Sequence, residues 1–435
     1  MLVRREIVGK TFKLFSSLGK LDYDIRKELA KRELSEGTLM ASEEGKLKLC
    51  IVTPTKFPLI GGYENLVYFL SQTLSGKIEV YVVCSELNTL ISIPENVITH
   101  VLSPVIKIKY IGFMVNSVIN QIRFYILARK KRFDVIHAHP SFPSGFTALL
   151  AKLLLGIPVI CTSHGDDVQI DWEIGYGARR NRIVSWLTKL TLKNVDLHTV
   201  VSRCMIGDAI EAGSNPSKIR VVYNGINLDS IPRSYNSQSL KKHGIEAEDF
   251  IILFLGRLHP KKCPEDLVKA FPKVVEKVPN AKLVFAGKGK EEMKLEKMVS
   301  DLNLKDKVIF AGFVSEDEKW DLLKRCDAFI LPSVVEGHPI TVIEAMACSK
   351  PVIVTNIGPF PEIIRDGETG LLVPLHSPDA LANAIVELAL DEEKRIKMGK
   401  MARRDVEERF DINKIADEYL SIYEELINKK KRRMP

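Results

Sequence analysis

From Leu47 onward, short unbroken apolar runs alternate with longer stretches in which apolar residues recur every three or four positions. Leu49-Cys50-Ile51-Val52, Val80–Cys84, Asp134–His137, Pro158–Thr162, Leu197–Val201 and Ile219–Tyr223 are short runs bounded by turn residues. Each reads as a strand buried on both faces. The loop 53–62 and a helical pattern ending at Leu74 separate the first two. After a polar stretch, Asp229–Glu248, the rhythm restarts with Phe250–Gly256, Ala281–Phe285, Val308–Ala311, Ala328–Leu331, Pro351–Val354 and Gly370–Val373. Strands alternating with helices at this spacing predict parallel sheets covered on both faces. Two such series in succession predict an α/β protein of two Rossmann-like parallel-sheet domains facing a cleft, with ligands at the carboxyl ends of the strands. From Asp391 the chain is helical and charged, and its Lys429-Lys430-Lys431-Arg432-Arg433 tip reads as a frayed, solvated end.

Residues 1–46 precede any clear strand. Val3, Ile7, Val8, Phe12, Leu14, Phe15 and Leu18 fall on about half of a helical circumference, with Lys10, Lys13 and Lys20 on the other half or its edges. The expected element is an N-terminal helix, packed on the body of the protein or lying on an acidic membrane surface.

A length of 435 residues suits two domains, and 46% hydrophobic with 27% charged residues suits two ordinary cores. The net charge of +8 favours anionic ligands or surfaces. It does not by itself argue for nucleic acid, and no aromatic-basic or zinc-finger spacing appears, so no nucleic-acid partner is expected. The seven cysteines are scattered, never in C-x-x-C, and several sit in apolar runs, which fits a reduced cytoplasmic protein. No cleavable leader is visible, and the longest apolar candidate, 146–162, is broken by Lys152 and Gly156-Ile157-Pro158.

The most informative stretch is 327–374. The run Ala328–Leu331 ends at Pro332-Ser333. Glu336-Gly337-His338-Pro339 follows, then a helical pattern through Ile340, Ile343 and Ala347. Pro339 suits the first turn, where its missing N–H has no partner to lose. Glu336 then lies at the helix entrance and Glu344 about a turn inside. The free amides of Gly337 and His338, with the helix dipole, suit an anion or polarised oxygen. Paired carboxylates accept hydrogen bonds only, so they suit a ligand presenting hydroxyls; a dipole-favouring charge plus a solvated residue is the plainer alternative.

In Gly256-Arg257-Leu258-His259-Pro260-Lys261-Lys262-Cys263, two cations five positions apart open a helix at a strand's carboxyl end. An Arg fork and a compact Lys charge suit a diphosphate. Cys263 stands in a turn that therefore is expected not to require positive φ. Gly61-Gly62, ahead of Tyr63-Glu64, lets backbone approach a phosphate or sugar closely. The absence of G-x-G-x-x-G there counts against a dinucleotide-dependent dehydrogenase. His164-Gly165-Asp166-Asp167 follows a strand, and His137 and His139 are expected to line the cleft.

The ordered set Glu336-x7-Glu344, EAMACSKPVIVTNIGPFPEII and GETGLLVP resembles the donor-site signature of GT-B glycosyltransferases of the large retaining family 4. GRLHPKKC, AGKGK, GGYE, HGDD and YNGIN are similar to further motifs of that family, and the resemblance spans about Leu47 to Leu426. It implies transfer of a sugar from a nucleoside-diphosphate sugar to an acceptor hydroxyl, glycan or lipid-linked, without a metal or other cofactor. Glu336 would meet the transferred sugar, Glu344 the nucleotide ribose, and Arg257 and Lys262 the diphosphate. Gly61, Gly62, Gly337, His338 and Ile340 would complete the donor site, and His164 would approach the reacting sugar. His338-Pro339 stands where many members have Phe-Gly, which puts the donor's identity in doubt. The resemblance implies an acceptor-side domain over 47–228, a linker at 229–248 and a nucleotide-sugar domain over 249–410. A last segment, 411–435, would cross back to the first domain. An epimerase of the same fold and a non-catalytic sugar-binding protein are the alternatives. Val105–Arg132, apolar with Lys107, Lys109, Arg129, Lys130 and Lys131 in or beside it, is either an ordinary amphipathic helix or a second contact with an acidic membrane.

Overall fold

A computed structural model describes residues 45–58, 62–102 and 111–432, with the side chains of 111–115 excepted. The chain divides into two units, Met1–Lys46 and Leu47–Pro435. The helix expected over 1–46 lies outside the described residues, as do Gly61, Lys107 and Lys109. The second unit holds two lobes, each built on one parallel sheet.

The first lobe contains β1 (Lys48–Val52), β2 (Glu79–Cys84), β3 (Val97–Val101), β4 (Val135–Ala138), β5 (Val159–Ser163), β6 (Leu197–Val200) and β7 (Ile219–Val221). All pair in parallel in the order β3-β2-β1-β4-β5-β6-β7. The second lobe uses β8 (Phe250–Leu255), β9 (Ala281–Ala286), β10 (Val308–Gly312), β11 (Ala328–Leu331), β12 (Val352–Thr355) and β13 (Gly370–Val373). Its order is β10-β9-β8-β11-β12-β13, again parallel. β8 and β11 are buried at every position, as unbroken apolar strands in the middle of a parallel sheet must be. In both sheets the strand order reverses beside the first strand, at β1/β4 and at β8/β11. These are the switch points at which doubly wound folds open a crevice.

The helices that bear on the site are α1 (Tyr63–Ser75), α2 (Ile111–Lys131), α3 (Arg182–Asn194), α4 (Pro264–Lys277), α5 (Glu316–Arg325), α6 (Ile340–Ala347) and α7 (Ile412–Lys431). Helix α7 leaves the second lobe and covers the first sheet. Ile412, Ile415, Tyr419, Ile422 and Tyr423 are buried with Leu49, Ile51, Leu66, Leu70 and Val135. The crossing is pinned by Ile226 N donating to Phe410 O at 2.8 Å and Ile412 N to Ile226 O at 3.0 Å.

That crossing corrects one expectation. His137 is fully buried rather than lining the cleft, with Nδ1 2.7 Å from Tyr423 Oη and Nε2 2.6 Å from Thr162 Oγ1. Within the polar stretch 229–248, Ser237–Lys241 is helical and Leu240 and Ile245 are buried in the second lobe's core. In α2, Phe124 and Ala128 are buried in the first lobe's core, so part of its apolar stripe is an ordinary packing face. Among the described residues, no helix is long and apolar enough to cross a membrane.

Candidate active site

The loop after β8 carries the cations. Arg257 is exposed at its tip, while Leu258 behind it is buried. The AGKGK turn after β9 braces this loop: Leu258 N donates to Lys288 O at 3.1 Å, and Glu291 N to Leu258 O at 3.2 Å. A Cβ on Gly289 would lie 2.1 Å from Leu258 O, so only glycine permits this approach. His259 Nδ1 then accepts from Lys261 N at 3.2 Å and starts a single 3₁₀ turn, Pro260–Lys262. Cys263 closes that turn at φ 45°, ψ 47°. The expectation that cysteine here means no positive φ is therefore wrong. The fold imposes the left-handed conformation, and the strain of a Cβ there is offset by burial and the start of α4.

The turn delivers both lysines to Glu336. Lys262 Nζ lies 2.5 Å from Glu336 Oε1, and Lys261 Nζ lies 4.0 Å from Oε2 and 4.3 Å above the Tyr176 ring. Burial pushes the Glu336 carboxyl up, but Lys262 and Lys261 more than offset it and hold it below the usual range. Burial conversely lowers Lys261, with Glu336 opposing and Lys262 and Arg257 adding to the shift. Among the described residues Arg257 forms no ion pair. Pro339 is the N-cap of α6 rather than a residue of its first turn, since the helix begins at Ile340. Glu344, a turn inside α6, is buried against Lys319 of α5, Oε1 to Nζ 2.7 Å. Burial raises this carboxyl and Lys319 counters it.

The facing wall comes from the first lobe. The H-G-D-D turn after β5 is built on Asp167, which accepts from Ser141 N and Oγ, Ser163 Oγ and His164 N. It presents His164, whose ring stacks on Tyr63 of α1 at 4.7 Å and whose Nε2 lies 2.9 Å from His139 Nδ1. His164 Nδ1 is buried without a partner among the described residues. Burial drops its pKa to about 4, so the imidazole is neutral near pH 7. Gly62 N-caps α1, and Arg257 acts across the cleft on Glu64.

The lobes meet at the head of α6. A Cβ on Gly337 would sit 2.3 Å from His164 O. Gln169 Nε2 donates to Glu336 O at 3.2 Å, and Asn224 Nδ2 to His338 O at 3.0 Å. His338 is buried between Tyr223 and Phe410, both ring nitrogens unpartnered among the described residues; burial, helped by Arg409, lowers its pKa to about 3. Its side chain thus packs at the lobe junction, and its backbone faces the loop.

The structure brings His164, Arg257, Lys262, Glu336 and Gly337 to one crevice, with Gly62 on its rim. Ile340 opens α6, and Glu344 is reached only along that helix. Lys261, Tyr63 and Lys319 were missed by sequence reasoning. Lys261 had a legible signal, being a second lysine in the same strand-ending turn. Tyr63 and Lys319 had none, because their partners lie far away in the chain.

Two doubly wound lobes facing each other across such a crevice make the GT-B fold. The chain belongs to glycosyltransferase family 4, the group 1 glycosyl transferases. Family models described as Glycosyltransferase Family 4 and Glycosyl transferases group 1 match residues 60–230 and 236–405. N-acetyl-alpha-D-glucosaminyl L-malate synthase of Bacillus anthracis is 31% identical over 303 residues, covering 69% of this chain and 77% of that one. The UDP-Gal:alpha-D-GlcNAc-diphosphoundecaprenol alpha-1,3-galactosyltransferase of Escherichia coli is 26% identical over 399 residues, 89% and 99% of the two chains. Among solved structures, sucrose-phosphate synthase from Thermosynechococcus elongatus superposes with a TM-score of 0.74 at 22% identity, covering 88% of this chain and all of the other. Anabaena Alr3699/HepE in complex with UDP-glucose gives 0.69 at 20% identity, covering 86% and 99%.

Proposed function

We propose that this glycosyltransferase moves a sugar from a nucleoside-diphosphate sugar to an acceptor hydroxyl with retention at the anomeric carbon. The observation that carries this reading is the set Arg257, Lys261, Lys262 and Glu336, gathered at the amino end of α6 and facing His164 across the crevice. The diphosphate would lie against Arg257, Lys262 and the amides of Gly337 and His338. Glu336, held ionised by its lysines, would accept hydrogen bonds from the sugar hydroxyls, and Glu344 from the ribose. Cleavage of the bond from the anomeric carbon to the phosphate oxygen leaves charge on the diphosphate, which fixed cations and amides stabilise most in the transition state. The acceptor oxygen attacks the same face, and its proton passes to the departing phosphate oxygen. Neutral His164 can then meet a sugar hydroxyl without placing a cation beside the positive anomeric centre.

The transfer step needs no divalent ion on this reading, because three side-chain cations stand where a metal would neutralise the diphosphate. The E. coli relative's name specifies a diphosphoundecaprenol-linked acceptor. This supports a lipid-linked acceptor here as well, met by a cytoplasmic enzyme docking peripherally on an acidic membrane. A panel of nucleotide sugars, scored for nucleoside diphosphate release with and without glycan and lipid-linked acceptors, tests the proposal. Release from at least one donor, retained in chelator and giving an α-product from an α-donor, is expected. No release from any donor, an inverted product, or activity restored to chelated enzyme only by magnesium or manganese overturns it.

A further inference from the structure

Immediately after Lys262, three side chains with metal-ligand chemistry converge. Cys263, Asp266 in the first turn of α4, and His376 in the turn after β13 each direct one donor atom into a space where these atoms lie within 4.8 Å of one another. His376 Nδ1 is 3.0 Å from Asp266 Oδ2. Among the described residues this is the one place where three such groups gather. We propose that Cys263, Asp266 and His376 form a binding site for a divalent ion of the zinc class.

The donor set argues for that class. One sulfur, one imidazole nitrogen and one carboxylate oxygen suit a borderline-soft ion, whereas magnesium and calcium prefer oxygen throughout. Ligands at about 2.0–2.3 Å from a tetrahedral zinc stand about 3.3–3.8 Å apart, so small side-chain rotations close the set around an ion. A water would fill the fourth position from the exposed His376 side. Asp266 supplies an independent reason. Its side chain is 8% exposed, yet among the described residues it pairs with no Lys or Arg, only with the largely exposed imidazole of His376. A buried carboxylate ordinarily has a full positive charge beside it, and a metal ion would supply one. Binding displaces the thiol proton of Cys263 to solvent. The ion would tie the 260–263 turn to the 374–377 turn and so anchor the backbone that carries Lys261 and Lys262. This site takes no part in the transfer step, and its effect is on binding and thermal stability.

Both outer ligands offer clean variants. Cys263 has φ 45° and His376 φ 51°, conformations in which glycine carries no Cβ penalty. Cys263→Gly and His376→Gly therefore remove a ligand without strain. Metal-free full-length protein is titrated with zinc against a chromophoric chelator. Wild type is expected to bind one equivalent, and each glycine variant to bind at least about tenfold more weakly. Zinc should raise the melting temperature of wild type and not of the variants. Cobalt should give the wild type a thiolate-to-metal charge-transfer absorption that Cys263→Gly lacks. Less than one equivalent in wild type, wild-type affinity in either variant, or no charge-transfer absorption overturns the site. None of these readouts depends on glycosyl transfer.

Discussion

Six strands follow the same order in both lobes, with one kind of switch point, yet one crevice wall is charged and the other neutral at its imidazoles. The second lobe presents Arg257, Lys261 and Lys262 around a carboxylate held ionised. The first presents the His164 imidazole, kept neutral by burial and backed by the buried ring of His139, beside Tyr63 and glycine backbone. A doubly wound sheet therefore fixes where a ligand lies, while the loops after its strands fix what charge it meets. The proposed transfer would gain from the asymmetry: the anionic leaving group would meet one wall, and the electron-poor sugar would face the other.

The comparison breaks most sharply at Lys262. Lys262→Ala should lower kcat/KM by about 2–4 kcal/mol of transition-state stabilisation. It should also reduce stability, because removing one member of a buried pair costs about 3–5 kcal/mol when the other charge has no partner, and Lys261 covers only part of that loss. Arg257→Ala should lose similar activity and keep its stability within about 0.5 kcal/mol, since the residue is exposed and forms no ion pair among the described residues. Steady-state kinetics beside thermal unfolding separate the two effects. Near-normal turnover in both variants would remove the charged wall from the mechanism.

The neutral wall should fail first in acid. For histidines whose folded pKa lies below the ordinary value of about 6.5, the unfolded chain binds the proton more readily. Stability is then fully present above about pH 6.5 and falls as pH drops toward the folded value, about 4 for His164. The first proton taken by the cluster costs about 1.4 kcal/mol per pH unit over that window. Glu336, whose pKa is lowered, contributes in the same direction but only once the pH reaches the carboxylate range. His338, at the lobe junction, is lowered to about 3 and acts over the same window, so hydrogen exchange at falling pH should show the β4–β5 region of the first lobe losing protection before the β9–β10 region of the second. Equal loss in both would mean that burial of the imidazoles is not what sets acid tolerance.

Strand and helix alternation was legible because parallel strands buried on both faces announce themselves as unbroken apolar runs, Phe250–Leu255 and Ala328–Leu331 above all. The crevice residues were legible where one short segment carries the chemistry, as in Glu336-Gly337 and Arg257 to Lys262. Pairings across long separations were not. Nothing near Glu344 points to Lys319, and nothing near His137 shows that Tyr419 and Tyr423 will arrive from α7 to bury it. Cys263 shows a different limit. Residue type reports the conformation a position prefers, whereas φ there is set by the turn that docks Lys261 and Lys262 onto Glu336.

Two glycines sharpen the comparison between contacts inside one lobe and contacts across both. Gly289→Ala drives a Cβ against Leu258 O within the second lobe, where neither loop can retreat, and should cost about 1–3 kcal/mol of stability. Gly337→Ala drives a Cβ against His164 O across the crevice, a clash that opening of the lobes would relieve. It should cost less than about 1 kcal/mol of stability, consistent with relief of strain by rigid-body opening. Its activity should nevertheless fall at least as far, because the walls no longer close on the sugar. Denaturant unfolding and kcat/KM on both variants check the contrast. A larger stability loss in Gly337→Ala would mean that the lobes form one rigid body.

The smallest expected effect concerns the outer surface of the first lobe. Sequence alone leaves Val105–Arg132 as either an ordinary amphipathic helix or a membrane contact, and Phe124 and Ala128 of α2 are turned into the core. A second apolar face is exposed on α3, where Ile183, Trp186 and Leu190 follow helical spacing beside Arg182, Lys189 and Lys193, with Trp172 in the preceding loop. Each cation near an acidic surface contributes about 1 kcal/mol, so either face could hold the enzyme peripherally while neither would do so at high salt. Sedimentation with acidic and neutral liposomes distinguishes them. Reversal of Lys107, Lys109, Lys130 and Lys131 to Glu tests the first face, and Ile183→Glu with Trp186→Glu tests the second. Loss of pelleting in one variant alone assigns the docking face, and loss in both makes the contact shared. Wild type that ignores acidic liposomes at low salt, or binding retained in both variants, refutes docking through these faces and makes a soluble acceptor the better reading.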